Sequence, residues 1–155
     1  MRATLIMWGL CALVLTTGCA SKPEPVEEKS ATGYRHTFDF MWKNTTEELD
    51  RRWDIESSDR ETRTIVAKWR ERFHPMSHFG ERKRLTITIT GDDVEGYRVT
   101  AKEEAESNTE QVQPMTPEEA DWDPKATDGG LARLFLTELG RRLDPDERWR
   151  DLDKR

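Results

Sequence analysis

The chain is short of cysteine, of long apolar runs and of excess positive charge, and each shortage excludes a class of protein. Two cysteines in 155 residues, Cys11 and Cys19, do not supply a disulfide-rich scaffold. A mean hydropathy of -0.90 excludes a polytopic membrane protein. The single long uncharged apolar stretch, residues 5–18, is shorter than the ~20 residues of a membrane-spanning helix. Because 31 acidic residues outnumber 25 basic ones, for a net charge of -6, general nucleic-acid binding is disfavoured.

The apolar stretch at the start is typical of a signal peptide over residues 1–18. It follows a single basic residue, Arg2, and ends in small residues, as cleavage requires. Residues 15–19, Leu-Thr-Thr-Gly-Cys, resemble the bacterial lipobox. The resemblance implies that Cys19 is lipidated and begins the mature protein, which its acyl chains (palmitate among them) would anchor to a membrane. An ordinary secretory signal with an incidental cysteine is the alternative.

The residue after Cys19 is alanine and not the aspartate of an inner-membrane retention signal. In a host with two membranes we therefore expect an outer-membrane lipoprotein that faces the periplasm. Residues 19–33 have Val26 as their only large apolar side chain, so we predict a lipidated cysteine followed by a flexible tether. The folded domain is predicted over 34–145, followed by a charged tail over 146–155.

Alternation of apolar and polar side chains predicts five strands, over residues 34–40, 55–58, 62–70, 84–90 and 97–102. Helical spacing of apolar residues predicts helices over 41–53 and from Asp128 to Leu143. Residues 103–126 form a polar connector with a short helix predicted before Trp122. The strands each have one apolar face, so the fold class is α+β: a two-layer sandwich of an antiparallel sheet of about five strands with both helices on one face. A helix-grip arrangement fits this order, and a ferredoxin-like variant is the alternative.

The succession of a helix from Trp42 to Leu49, an acidic turn at residues 59–61 and a strand from Thr64 to Trp69 looks like the helix-grip domains of BamC. That family consists of accessory lipoproteins of outer-membrane β-barrel assembly. The resemblance, over roughly residues 34–143, implies an envelope lipoprotein with a non-catalytic binding or scaffold domain, serving as an accessory subunit of envelope or outer-membrane assembly. Its partner would be another envelope protein.

Residues suited to catalysis or metal binding are few. His36, His74 and His78 are not spaced for a closed metal site, and the serines lack a nucleophile-elbow context. We therefore predict no enzyme activity, no cofactor and no metal. A small periplasmic hydrolase or a metal-dependent enzyme is the alternative, and it would require a formed pocket with convergent polar groups.

One stretch, residues 71–83, combines basic and aromatic side chains between two predicted strands. Thirteen residues exceed what a hairpin needs, so we predict a long loop that contacts an anionic lipid surface or an acidic partner. The alternative is an ordinary solvated loop whose phenylalanines pack on the core. Trp42, Trp53 and Trp69 are predicted to be core residues, and Trp122 an interface residue. The predicted contact residues are Arg72, Phe73, His74, Phe79, Arg82, Lys83 and Trp122.

Overall fold

The computed structural model describes residues 22–30, 33–74, 79–108 and 120–144. The predicted signal peptide, Cys19, the short helix before Trp122 and the tail at 146–155 lie outside these ranges. Neither helix within the ranges is long and apolar enough to cross a membrane.

Seven strands and two helices make up the described part. In chain order they are β1 (Val26–Lys29), α1 (Phe38–Asp50), β2 (Ile55–Asp59), β3 (Thr64–Ala67), β4 (Arg70–His74), β5 (Phe79–Asp92), β6 (Gly96–Asn108), β7 (Asp123–Lys125) and α2 (Gly130–Leu143). All pairings are antiparallel, in the order β1-β6-β5-β3-β2, with β4 also beside β5 and β7 also beside β6. The α+β prediction is confirmed.

A long hairpin, β5 with β6, forms the centre of the sheet. Its register pairs Leu85 with Glu103 and Ile87 with Ala101, and these side chains all have no solvent exposure. The turn is held by Asp92, whose carboxylate accepts hydrogen bonds from the backbone N–H groups of residues 94 and 95, both at 2.8 Å, and these bonds lower its pKa. Gly91 has φ +106°, and a Cβ there would lie 2.2 Å from the Gly96 carbonyl oxygen. The turn therefore requires glycine at this position.

Both helices contribute to one apolar core with the inner face of the sheet. Met41, Leu49 and Leu139 are fully buried, and the tryptophans at 42 and 53 are 9% and 7% exposed. The amphipathic patterns of both helices are thus confirmed. Leu134 belongs to the helical spacing of apolar residues that predicts α2, but it is 43% exposed, and Leu136 is buried instead.

The N-terminus of α2 is held by a carboxylate from the sheet. Glu103, which is fully buried, accepts hydrogen bonds from the N–H of Leu131 at 2.9 Å and of Ala132 at 3.4 Å. The Lys83 ammonium donates to the same carboxylate at 3.2 Å. Asp128, at which the sequence predicts the helix to begin, lies before the first helical residue, and its carboxylate accepts a hydrogen bond from the N–H of Gly130 at 3.0 Å.

The predicted strand over 34–40 is wrong in most of its length, because α1 begins at Phe38. Thr37 is the N-cap, with extended backbone angles and its hydroxyl accepting from the N–H of Phe40 at 3.4 Å. Only Tyr34 pairs with the sheet, opposite Tyr97. The aromatic alternation at 34, 38 and 40 thus spans a strand-like bridge and the first helical turn.

The predicted flexible tether is wrong at Val26–Lys29, which form β1. This strand pairs with residues 100–103 of β6, and the following Ser30 donates its N–H to the Val99 carbonyl at 2.9 Å. The edge of β6 supplies unpaired backbone groups that a polar segment can satisfy without burying apolar surface. The ordered domain therefore begins before the predicted boundary at residue 34.

The predicted loop over 71–83 is also wrong, because β4 and the first part of β5 form a hairpin through it. Residues 70–74 pair with 83–79 in unbroken register. The predicted connector over 103–126 is likewise ordered at its start, because residues 103–108 continue β6. Strand β7 pairs with residues 105–107 of β6. Four of the five predicted strands are present as β2, β3, β5 and β6, and β1, β4 and β7 bring the sheet to seven.

Candidate contact surface on the outer face of the sheet

The sheet has an outer face, on the side opposite the two helices. In β5 it presents Arg82, Arg84, Thr86 and Thr88, which pair with Glu106, Glu104, Lys102 and Thr100 of β6. Because side chains alternate along a strand, these residues point away from the buried ones at 85, 87, 101 and 103. Neither α1 nor α2 covers this face.

On the outer face, near the start of β5, one arginine contacts two indole rings. The Arg82 guanidinium lies 4.7 Å from the ring centroid of Trp69 and 4.5 Å from that of Trp122. The Arg84 guanidinium lies 4.5 Å from the ring centroid of Trp69. Such cation–π contacts are each worth about 0.5–1 kcal/mol at exposed sites and more when desolvated. We call Trp69, Arg82, Arg84, Trp122 and Phe73 the Trp–Arg cluster.

Carboxylates of β6 pair with both arginines. The Nε of Arg82 donates to Glu106 at 2.6 Å, and the Nε of Arg84 donates to Glu104 at 2.6 Å. Burial raises the pKa of Glu104, but the hydrogen bonds and charges of Arg84 and Lys102 outweigh it and leave the pKa below its usual value. The cluster is therefore a set of neutralised ion pairs interleaved with aromatic rings.

Phe73 and Trp122 meet over a glycine. Their ring centroids are 5.8 Å apart in an edge-on arrangement. Gly80 lies beneath them, and a Cβ there would be 2.9 Å from the Phe73 ring and 3.1 Å from the Trp122 ring. Asn108, at the end of β6, donates to the Asp121 carbonyl at 2.6 Å and so fixes the backbone beside Trp122.

A shallow cavity of about 170 Å³ adjoins the Trp–Arg cluster. Trp69 and Arg84 form part of its wall, and the N-terminal segment before β1 forms another part through Lys22, Pro23 and Pro25. Pro124 of β7 also lines it. The segment that was predicted to be a tether thus lies against the outer face.

The structure brings three of the predicted contact residues together: Phe73, Arg82 and Trp122. Lys83 lies on the opposite face, at Glu103, and Arg72 is exposed in β4. His74 and Phe79 pair with each other in the β4–β5 ladder, and their side chains lie outside the described part of the structure.

Trp69 and Arg84 complete the cluster, although neither was among the predicted contact residues. Trp69 was predicted to share the buried face of Ile65 and Ala67. The ladder of β3 ends at Ala67 and that of β4 begins at Arg70, so the alternation is interrupted and Trp69 turns to the outer face. The signal present in the sequence was the matched spacing of Arg82 and Arg84 with two glutamates on the partner strand.

Within the described ranges, no group of three or more histidine, cysteine, aspartate or glutamate side chains could hold a metal ion. His36 lies with its Nε2 3.1 Å from the Leu143 carbonyl oxygen, at the end of α2.

No protein-family model matches the chain, and no match was found among curated proteins.

Proposed function

We propose that this chain is a lipid-anchored, non-catalytic binding module of the bacterial cell envelope. The anchor is Cys19, and the contact surface is the outer face of the sheet with its Trp–Arg cluster. In a two-membrane host the protein would be held in the outer membrane, on the periplasmic side. An accessory role in envelope or outer-membrane assembly is the specific function that the resemblance to BamC suggests.

The observation that carries the proposal is the Arg82 guanidinium between two indole rings on a face that neither helix covers. Tryptophan and arginine are the residue types most enriched at the energetic centres of protein interfaces. Trp69 and Trp122 are only half-buried in the isolated chain. They therefore retain apolar surface for a contact.

Two further observations support binding over catalysis. The two arginines of the cluster donate hydrogen bonds to Glu106 and Glu104 of β6 at 2.6 Å, so their positive charges are neutralised by pairing. The adjoining cavity, about 170 Å³, is smaller than the ~300–1,000 Å³ of typical small-molecule sites.

The anchor is tested with Cys19→Ser. We expect the wild-type protein to incorporate labelled fatty acid and to sediment with membranes, and the variant to lose both properties. A variant that stays in the membrane fraction would contradict the anchor.

The contact surface is tested by thiol labelling in native membranes. A lipidated Cys19 has no free thiol, so an engineered cysteine is the only reactive one. We expect Thr86→Cys, on the outer face, to react slowly with a membrane-impermeant maleimide until detergent is added. Thr137→Cys is the matched control, because this half-buried threonine lies on the helix layer, in α2. Equal labelling of the two positions would show that the outer face is unoccupied.

A further inference from the structure

The N-terminal segment lies on the same face as the Trp–Arg cluster, and this places the predicted anchor close to the cluster. Lys22, Pro23 and Pro25 line the cavity beside Trp69 and Arg84. Directly after them, β1 is paired with β6 over four register positions. The chain is thus attached to the sheet from its first described residues onward.

The length of chain left between the anchor and this attachment is short. Three residue steps separate Cys19 from Lys22, and three steps of extended chain span at most about 11 Å. With the lipidation proposed above, the acyl chains of Cys19 would enter the bilayer and its backbone would lie at the headgroup layer. Lys22, which lines the cavity on the outer face, would then lie within about 11 Å of that layer, whereas the predicted tether of fourteen residues would have allowed a reach of roughly 20 Å.

The chemistry of the face matches the headgroup layer. Tryptophan is enriched at membrane interfaces, where its ring lies among apolar groups and its N–H stays hydrated. Arginine and lysine place their stems along apolar surface while the charge stays in the polar layer. Cations and acids are close to balanced on the outer face: β5 and β6 carry cations at 82, 84, 98 and 102 and acids at 104 and 106, and the neighbouring strands add Glu27 opposite Lys102 and Glu71 opposite Arg82.

From these observations we infer that the outer face of the sheet, with its Trp–Arg cluster, lies against the lipid headgroups of the membrane that holds Cys19. The inference rests on the proposed lipidation of Cys19. In this orientation the helix layer faces away from the bilayer, and it is the side that remains open to the periplasm.

The experiment uses the acylated full-length protein with one engineered cysteine that carries a fluorophore. It is reconstituted into vesicles of phosphatidylethanolamine and phosphatidylglycerol, a fraction of which carries a quencher on the headgroup. We expect quenching at Thr86→Cys to be several-fold stronger than at the control Thr137→Cys. Thr100→Cys, the neighbour of Thr88 on the outer face, is a second test position if the first variant melts early by circular dichroism.

The outcomes separate this inference from the function on which it rests. Equal quenching at both positions, or stronger quenching at Thr137→Cys, would overturn the membrane-facing orientation. If Thr86→Cys is protected in native membranes but not quenched in pure lipid vesicles, the occupant of the face is a protein; the inference then fails and the proposed function stands. A purified protein whose intact mass shows no acyl chains would overturn both.

Discussion

Among single residues, Glu103 makes the most demanding set of interactions in the described chain. Its carboxylate is fully buried and accepts from two backbone N–H groups at the start of α2, from Lys83 and from the Thr127 hydroxyl. A buried charge without such partners would cost several kcal/mol. The partners also connect three elements, since β6 supplies the acceptor while β5 and α2 supply donors. Glu103 therefore fixes where the helix begins on the sheet.

We expect Glu103→Gln to lower the free energy of unfolding by about 1–3 kcal/mol, because the amide loses the charge opposite Lys83 and half of its acceptors. Equilibrium denaturation with urea measures this change. Glu106→Gln, in the same strand but on the outer face and 22% exposed, is the matched control and should cost less. Equal effects of the two substitutions would show that Glu103 is not a structural cap.

At the scale of elements, the helices and strands that the sequence predicts correctly are those with one buried and one exposed face. The β5–β6 hairpin was evident because Leu85, Ile87 and Ile89 alternate with threonines over a covered face. The sequence did not predict the open end of the same hairpin or the adjacent strand β4. On the outer face there, arginine side chains pack on tryptophan rings, so apolar and polar residues do not alternate along these strands. Strand β1 was missed for a related reason: its residues are held by backbone pairing to β6, and pairing leaves no mark in the side-chain pattern.

The candidate site was predictable in part for the same reason. Phe73, Arg82 and Trp122 stood out by residue type, but their juxtaposition depends on the interruption between β3 and β4 and on the pairing of β7. Both depend on pairing between strands that are distant in the sequence, so the local sequence pattern does not predict them.

We expect Arg82→Lys to destabilise the β4–β5 hairpin by about 1 kcal/mol, because an ammonium cannot stack flat between two rings while donating to Glu106. Faster hydrogen exchange of residues 70–73 and 80–83 would report this. Arg98→Lys, an exposed position in β6, should leave the exchange unchanged. Unaltered exchange in Arg82→Lys would mean that the stack contributes little to the hairpin.

At the scale of the whole molecule, the N-terminal segment, residues 22–30, determines where the ordered domain begins and how far the domain lies from its proposed anchor. It closes an edge of the sheet along β6, and Glu28 reaches Arg133 of α2 at 2.9 Å. A chain that starts at the predicted boundary would lack this closure. The same segment sets the short distance to Cys19, so stability and orientation depend on one element.

We therefore expect a protein that begins at residue 33 to be less stable than one that begins at Lys22. The shorter chain loses the β1–β6 ladder and the two hydrogen bonds between Ser30 and Val99, at 2.9 and 3.2 Å. At a net value of ~1 kcal/mol for each hydrogen bond, the loss should be about 3–5 kcal/mol, and amide exchange at residues 100–103 should rise. Denaturation midpoints and hydrogen exchange on the two proteins measure both effects. If the two chains unfold at the same denaturant concentration, residues 22–30 are a tether after all, and the short span to the anchor that the membrane-facing orientation requires would be lost with them.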